Sequence, residues 1–311
     1  MTARVLVRTA VLLALPGAGC AAAPADVAVE SPGGGAAVAG AVPARAAGPA
    51  QAAGLTLPLD AYAFSAAEDQ LLGRAAAAHV RDCAARLGLD AAAVDPLPFG
   101  TAAESASAAA GRHDRRYAVA DPEIAATHGY HPPSTVDVRR EFYEAHTDAE
   151  LAVLVGVTAG GAPAARDGVP EGGCIGAAAR ATAVADEAAL RAGQDLVSAV
   201  QSEAWHAALA DPRVLDAFAA WSACMADAGY RYAAPMDAND DPRWWTSETA
   251  GPEEIATAVA DVACKESTGL IPAWSAVEAD YQARFIAANQ AELDAYRALL
   301  DQQVSAVSTA R

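Results

Sequence analysis

The stretch from Asp211 to Tyr230, DPRVLDAFAAWSACMADAGY, predicts a single helix that ends beside a cysteine. An aspartate followed by a proline is a frequent helix start, and Gly229 is a typical stop. The same ending, a cysteine with a glycine five residues later, occurs at Cys83, Cys224 and Cys264. A fourth cysteine, Cys174, follows two glycines and stands where a helix begins. Helices that end beside cysteines are therefore the repeated unit of this chain.

Helical patterns dominate the rest of the sequence. The capping boxes Ser65–Glu68 and Thr147–Glu150 each predict a helix start, and the first of these helices runs to Gly88. The other predicted helices are Val138–His146, Cys174–Ala210 with a kink or break near Gly193, Pro252–Lys265 and Pro272–Val307. Loops are expected at 158–173 and 233–247, while 101–110 fits a weak helix or a loop. Because no long alternating stretch occurs, the predicted class is mostly α.

Residues 1–19 predict a secretory signal peptide. Two arginines precede the short apolar run 11–15, which is far below the roughly 20 residues needed to span a bilayer. The tripeptide Ala-Gly-Cys ending at Cys20 resembles the end of a bacterial lipobox, in which the cysteine receives a diacylglycerol and becomes the mature N-terminus. Lipoboxes usually carry leucine where this chain has Gly17, so cleavage near 21–23 with full secretion remains an alternative.

Residues 20–54 are expected to form a disordered, flexible tether. Alanine, proline, glycine and valine make up most of this segment, and large apolar side chains are almost absent from it. Such a composition cannot bury enough surface to offset the entropy lost on ordering. The tether would join the membrane to a helical extracytoplasmic domain at 55–311.

Charge and length restrict the classes of partner. The chain has 311 residues, enough to bury a sizeable core, and a formal net charge of -18. Such an acidic surface repels phosphate backbones, which argues against nucleic acid as a partner. Lys265 is the only lysine, a bias that is typical of a GC-rich genome.

The cysteines are expected to pair in an oxidising compartment. If Cys20 carries the lipid, an even number of four cysteines remains. Cys224 and Cys264 lie on consecutive predicted helices with small residues beside them, which favours their pairing. Cys83 would then pair with Cys174. The functional alternative is a redox role for a free Cys174, whose pKa would be depressed at a helix start.

The acidic segment 237–248 resembles an EF-hand calcium loop. Oxygen ligands occupy positions 1, 3, 5 and 12 of the pattern, at Asp237, Asn239, Asp241 and Glu248. Position 6 is Pro242 where the loop needs glycine, and the preceding helix ends too early. The alternative is a solvated acidic turn.

Trp244 and Trp245 lie in the middle of this segment. Their rings could stack on a glycan, as in a surface binding site. The alternative is a small satellite core in which both rings fold over neighbouring helix ends.

Four histidines between positions 113 and 146 form the second candidate site. His128 and His131 lie on a proline-flanked turn and could bind zinc or another metal, together with His113, Asp114 and His146 nearby in the sequence. The His-Glu-x-x-His pattern of catalytic zinc is absent from the sequence. The alternative is that these are ordinary turn histidines.

Several short motifs resemble those of a group of uncharacterised actinobacterial lipoproteins. The motifs are Gly129-Tyr130, Leu154-Val155-Gly156, Gly172-Gly173-Cys174, Trp221 with Cys224-Met225 and Gly229-Tyr230, and Ala260-Asp261 with Cys264. The resemblance covers roughly residue 55 to the end. It implies an envelope location and paired cysteines, and it supplies no catalytic residues.

The sequence therefore predicts a cell-envelope lipoprotein with a non-catalytic binding or structural role and no cofactor. Expected partners are the membrane, through the lipid, and a cell-wall glycan or an envelope protein. The alternative is a secreted hydrolase or metal-dependent enzyme that uses the histidines of 113–146. A cleft joining them to Asp237, Asp241 or Glu248 would favour that alternative.

Overall fold

The protein is built from α-helices in the part that the structure, a computed structural model, describes: residues 52, 54–97, 111–133, 138–163, 166–183 and 186–309. The helices in these ranges are α1 (Ala66–Arg86), α2 (Pro122–His128), α3 (Val138–Ala145), α4 (Asp148–Leu154), α5 (Gly173–Thr182), α6 (Glu187–Ala210), α7 (Pro212–Asp227), α8 (Pro235–Asn239), α9 (Pro252–Thr268), α10 (Leu270–Ala288) and α11 (Gln290–Thr309). Strand pairing in these ranges is limited to isolated bridges. The prediction of a mostly α fold is confirmed.

Several sequence predictions fall outside the described residues. They are the signal peptide 1–19, the lipid site Cys20, nearly all of the tether 20–54 and the segment 101–110. Within the described ranges, no helix combines the length and the apolar character needed to cross a bilayer.

Both predicted capping boxes are present. The Ser65 hydroxyl accepts a hydrogen bond from the Glu68 amide at 3.3 Å, while the Glu68 carboxylate accepts one from the Ser65 amide at 2.7 Å. Thr147 and Glu150 exchange the same two hydrogen bonds at the start of α4. Each box satisfies amides that the first turn of a helix leaves unpaired.

Two disulfides fasten the helices in the pairing that the sequence predicts. Cys83 in the last turn of α1 is bonded to Cys174 in the first turn of α5, with a Cα–Cα distance of 5.6 Å. Cys224 of α7 is bonded to Cys264 of α9, with a Cα–Cα distance of 5.7 Å. A redox role for a free Cys174 is therefore wrong for this structure, since the sulfur is bonded and the residue is buried.

The predicted break near Gly193 is wrong. Helix α6 continues through Gly193, and the interruption lies earlier, between the end of α5 and the start of α6. A Cβ atom at position 193 would lie 2.2 Å from a ring atom of Tyr296 on α11. The glycine therefore permits close packing of two helices rather than a kink, a role that helix-breaking propensity alone does not reveal.

The C-terminal prediction also needs correction. The helix begins at Leu270, so Pro272 lies inside its first turn, where amides have no partner within the helix and proline is tolerated. The expected single run to Val307 is divided at Asn289, whose side-chain amide donates to the Phe285 carbonyl at 2.8 Å. The predicted loop 233–247 contains the short helix α8 and a 3-10 turn at Trp244–Thr246.

Buried side chains form three clusters. The main one lies between α7, α9 and α10 and includes Trp221, Trp274, Tyr117 and Tyr130. A second surrounds the Cys83–Cys174 bond and includes residues of α3, α4 and α5. A third joins the 3-10 turn at 58–62 to α6 and α11. The segment 112–133, whose sequence least resembles core, thus supplies central residues of the main cluster.

Candidate functional site

In the segment between residues 113 and 131, three polar side chains contact carboxylates of α9 and α10: Arg116, Tyr117 and His131. Tyr117 and Tyr130 are fully buried and anchor the two ends of this segment in the main cluster. Ala118 lies between them with a φ of 61°, which is uncommon for a residue with a side chain. A strained backbone of this kind persists only where neighbouring contacts hold it in place.

A buried carboxylate on α10 organises the first half of the segment. Glu278 is fully buried and accepts hydrogen bonds from the Arg116 Nε atom at 2.9 and 3.0 Å and from its Nη2 atom. The Tyr117 hydroxyl and the Gln282 amide each donate to the same carboxylate at 2.9 Å. Burial lowers the pKa of Arg116, but the hydrogen bonds to Glu278 and the attraction of its charge act together and leave the pKa raised. The arginine is therefore held as a cation against Glu278.

Arg116 also forms one wall of an open cavity of about 410 Å³. The Arg116 Cζ atom lies 5.3 Å from the ring centroid of Trp205, a cation–π arrangement, and the Trp205 ring is 4.8 Å from that of Trp274. The cavity is lined by Arg116, Ser198, Gln201, Ser202 and Trp205. Apart from Arg116, these lining residues lie on α6 with a helical spacing, so they share one face of it.

A second ion pair is buried on α9. Lys265 and Asp261 are fully buried, and the Lys265 Nζ atom donates to an Asp261 carboxylate oxygen at 2.9 Å and to the Val119 carbonyl at 2.7 Å. The Trp221 indole N–H donates to the other Asp261 oxygen at 2.9 Å. Burial raises the pKa of Asp261 and lowers that of Lys265. The Tyr130 hydroxyl is buried and has no hydrogen-bond partner among the described residues.

His131 forms a third polar contact with α9. Its Nδ1 atom lies 2.8 Å from a Glu254 carboxylate oxygen, and its Nε2 atom lies 3.0 Å from the Ser247 carbonyl. A ring with protons on both nitrogens can donate to both neighbours at once, so these contacts favour the cationic form. The hydrogen bond to Glu254 outweighs desolvation and raises the pKa of His131. The same carboxylate oxygen accepts the Tyr130 amide at 2.8 Å.

Gly129 is needed for this contact. Its φ is 58°, and a Cβ atom there would lie 2.7 Å from the Glu254 carboxylate oxygen. Glycine avoids both the backbone strain and the collision.

The charged His131–Glu254 contact should make stability depend on pH. Because the pKa of His131 is raised on folding, its contribution is complete below the unfolded value of about 6.5 and is lost as pH rises through the folded value. We expect His131→Gln to lower the free energy of unfolding by about 1–3 kcal/mol at pH 6, with the difference from wild type shrinking as pH rises. Urea unfolding between pH 5.5 and 9 measures both effects.

The control for this titration is His206→Gln, a substitution at an exposed histidine. It should leave the pH profile of the wild-type protein unchanged. A His131→Gln penalty that stays constant over the pH range would show that the ring is not cationic in the folded state.

The histidines of the predicted metal site are separated in the structure. The His113 Nε2 atom contacts Asp60 at 3.0 Å, while the His146 Nδ1 atom contacts the Phe142 carbonyl at 2.7 Å. The His146 Nε2 atom is buried and has no hydrogen-bond partner among the described residues. His128 is partly exposed at the end of α2. No three metal-ligating side chains converge in the described part of the chain.

The residues of the EF-hand pattern do not converge on one point either. Asp237 caps α8 by accepting the Ala234 amide at 3.0 Å, and Asn239 lies in the same short helix. The Asp241 carboxylate accepts the Tyr232 hydroxyl at 2.9 Å and pairs with Arg243 at 2.8 Å, contacts that lower its pKa to about 2. Glu248 is exposed beyond the 3-10 turn. An EF-hand loop curls around one calcium ion and directs its oxygens at it, whereas here the first residues of the segment form a helix.

The two tryptophans have different environments. Trp244 is buried, and its indole N–H donates to the Ala238 carbonyl at 2.8 Å. Its ring stacks on the Tyr130 ring, and the Arg243 Cζ atom lies 4.6 Å from its centroid. Its proposed stacking on a ligand is therefore wrong, because its surface is already covered. Trp245 is 48% exposed and lies 4.9 Å from the His131 ring. Trp244 thus belongs to the core, as the satellite-core alternative predicts, whereas ligand stacking by Trp245 stays a prediction.

Sequence reasoning missed the buried charges and the cavity. Arg116, Glu278 and Trp205 belong to no short motif, and Arg116 and Glu278 are 162 positions apart. A signal did exist for the ion pair on α9, because the only lysine of an arginine-rich chain follows an aspartate by four residues. That spacing places both groups on one helix face.

Comparison with protein-family models, with curated proteins and with solved structures yields no match for this chain.

Proposed function

We propose that this protein is a cell-envelope lipoprotein with a non-catalytic binding role, anchored by a lipid on Cys20. The observation that supports a non-catalytic role best is the use of the histidines. His113, His131 and His146 bind Asp60, Glu254 and the Phe142 carbonyl respectively, so each fastens a different part of the fold. The enzyme alternative requires these rings to act together, and their contacts instead favour three separate structural roles.

The location rests on the disulfides and on the N-terminal pattern. Two disulfides indicate an oxidising compartment, which agrees with export. The lipobox-like Ala-Gly-Cys and the resemblance to actinobacterial lipoproteins support attachment at Cys20. A lipid on the mature N-terminus would hold the helical domain near the membrane while its cavity stays open to solvent.

Expression of the full chain with a clickable fatty acid tests the location. We expect the wild-type protein in the membrane fraction and labelled, and the Cys20→Ala variant unlabelled and released. Equal labelling of both variants, or release of the wild-type protein into the medium, would contradict lipid anchoring at this residue.

A separate assay tests the non-catalytic role. The purified protein would be incubated with chromogenic esters, glycosides, phosphate esters and a peptide library, with and without zinc or calcium. We expect no turnover above buffer. Turnover that His113→Gln or His131→Gln abolishes in a folded variant would establish the hydrolase or metal-dependent alternative.

A further inference from the structure

We infer that the cavity between Arg116 and Trp205 is a binding site for an uncharged saccharide. This inference rests on the proposed binding role and specifies the place and the class of ligand. The cavity volume of about 410 Å³ falls within the roughly 300–1,000 Å³ of typical small-molecule sites.

The arginine in this wall is held in a fixed orientation. Glu278 binds the Nε and Nη2 atoms of Arg116, whereas Nη1 donates to none of the described residues. Tyr117 and Gln282 hold the carboxylate from the other side. A donor that is already ordered loses little entropy when it binds a ligand, so the rigid Arg116 suits a recognition role.

The charge balance of the wall favours a neutral ligand. The Glu278 carboxylate offsets the positive charge of Arg116, and no other charged residue of the described chain lines the cavity. The protein as a whole carries a formal charge of -18, which disfavours the approach of an anion. Phosphate and carboxylate ligands are therefore poorer candidates than uncharged ones.

The remaining lining groups match the chemistry of a sugar ring. Ser198 and Ser202 offer hydroxyls that both donate and accept, and the Gln201 amide has two donors and an acceptor. Trp205 is partly exposed and supplies an apolar surface beside them. A saccharide presents hydroxyls at its rim and C–H groups on its faces, so it can use both kinds of surface at once.

Calorimetric titration of the purified mature protein with chitotriose, cellotriose and maltotriose tests the inference. We expect at least one trisaccharide to bind with a dissociation constant of about 1 mM or tighter. Glucuronate and inorganic phosphate should bind at least about tenfold more weakly, because the wall offers them no net positive charge. Failure of all three trisaccharides, or preferential binding of an anion, would overturn the inference.

Variants on the exposed face of α6 locate the site without disturbing the core. Gln201→Ala should weaken binding by about three- to tenfold, and Ser202→Trp should abolish it by filling the cavity. The matched control is Gln194→Ala, the same substitution at an exposed position of the same helix outside the cavity lining. Equal loss for Gln201→Ala and Gln194→Ala, or unaltered binding by Ser202→Trp, would exclude this cavity as the site.

Competition distinguishes the two sources of a saccharide. Purified cell-wall glycan that sediments with the protein and is displaced by the trisaccharide would identify a polymer in the wall. Binding of the trisaccharide alone would identify a soluble sugar, and both results support the inference. If lipid labelling succeeds and saccharide binding fails, the proposed envelope location stands and the saccharide site is wrong. If saccharide binding succeeds and lipid labelling fails, the binding site stands and the lipid anchor is wrong.

Discussion

Replacing Lys265 with methionine should lower the free energy of unfolding by about 3–5 kcal/mol. The substitution keeps the length of the side chain but removes the ammonium group that pairs with Asp261 at 2.9 Å. Asp261 would then be a fully buried carboxylate whose remaining hydrogen-bond donor in the described structure is the Trp221 indole. The Val119 carbonyl would also lose its bond to Lys265. Urea unfolding at pH 7 measures the loss.

Two further variants identify the cause of that loss. Adding Asp261→Asn to Lys265→Met removes the unpaired charge, so the double variant should recover much of the stability.

The matched control is Arg191→Met. It removes one partner of an ion pair with the same four-residue spacing, Arg191–Glu187, whose side chains are 67% and 63% exposed. Solvent screens that pair, and its loss should change stability little. A similar effect at both sites would mean that burial of the lysine is not what matters.

Removing the Cys83–Cys174 bond should be the other large effect. The bond closes a sequence separation of 91 residues, for which the chain-entropy estimate gives a loss of about 4–5 kcal/mol as an upper figure. We expect the Cys83→Ala/Cys174→Ala double variant to unfold up to about 10 °C below wild type. Calorimetry under non-reducing conditions is the measurement, and alanine avoids leaving reactive thiols behind.

The second disulfide is the natural comparison. Cys224–Cys264 closes a separation of only 40 residues, so its entropic contribution should be smaller by about 0.7 kcal/mol. It also lies beside the main cluster, where α7 and α9 already pack together. We therefore expect Cys224→Ala/Cys264→Ala to be the milder double variant. A larger loss from this pair than from Cys83–Cys174 would show that packing or strain, not loop closure, determines the contribution.

The features that could be predicted from the sequence are those with a local cause. A capping box is complete within four residues, as at Ser65, and needs no knowledge of the rest of the fold. The cysteine pairing has a different basis, because it follows from the order of the helices along the chain and from the even number of cysteines that remain. Proline and glycine predict helix boundaries less reliably, because each occurs in two structural settings. Pro272 can begin a helix or lie within its first turn, and Gly193 can break a helix or admit a neighbour such as Tyr296.

The candidate site depends on contacts that no local pattern encodes. Trp205 and Trp274 form one aromatic cluster with Tyr117, although the sequence places them far apart. Arg116 belongs to a run of charged residues that begins at Arg112, yet it is partly buried, because the buried Glu278 carboxylate pairs with it. A charged side chain is buried only where an oppositely charged or hydrogen-bonding group pairs with it. Which group does so depends on how the helices pack, and the sequence alone does not show it.

We propose a lipid-anchored envelope protein whose helices are joined by two disulfides. Intact mass of the protein purified from membranes tests this most directly, recorded before and after thiol alkylation without reduction and followed by peptide mapping. We expect a chain that begins at Cys20 with a diacylglycerol on it, takes up no alkylating reagent and yields the linked peptides Cys83–Cys174 and Cys224–Cys264. A chain cleaved after Cys20, or one whose cysteines are alkylated without reduction, would contradict the account.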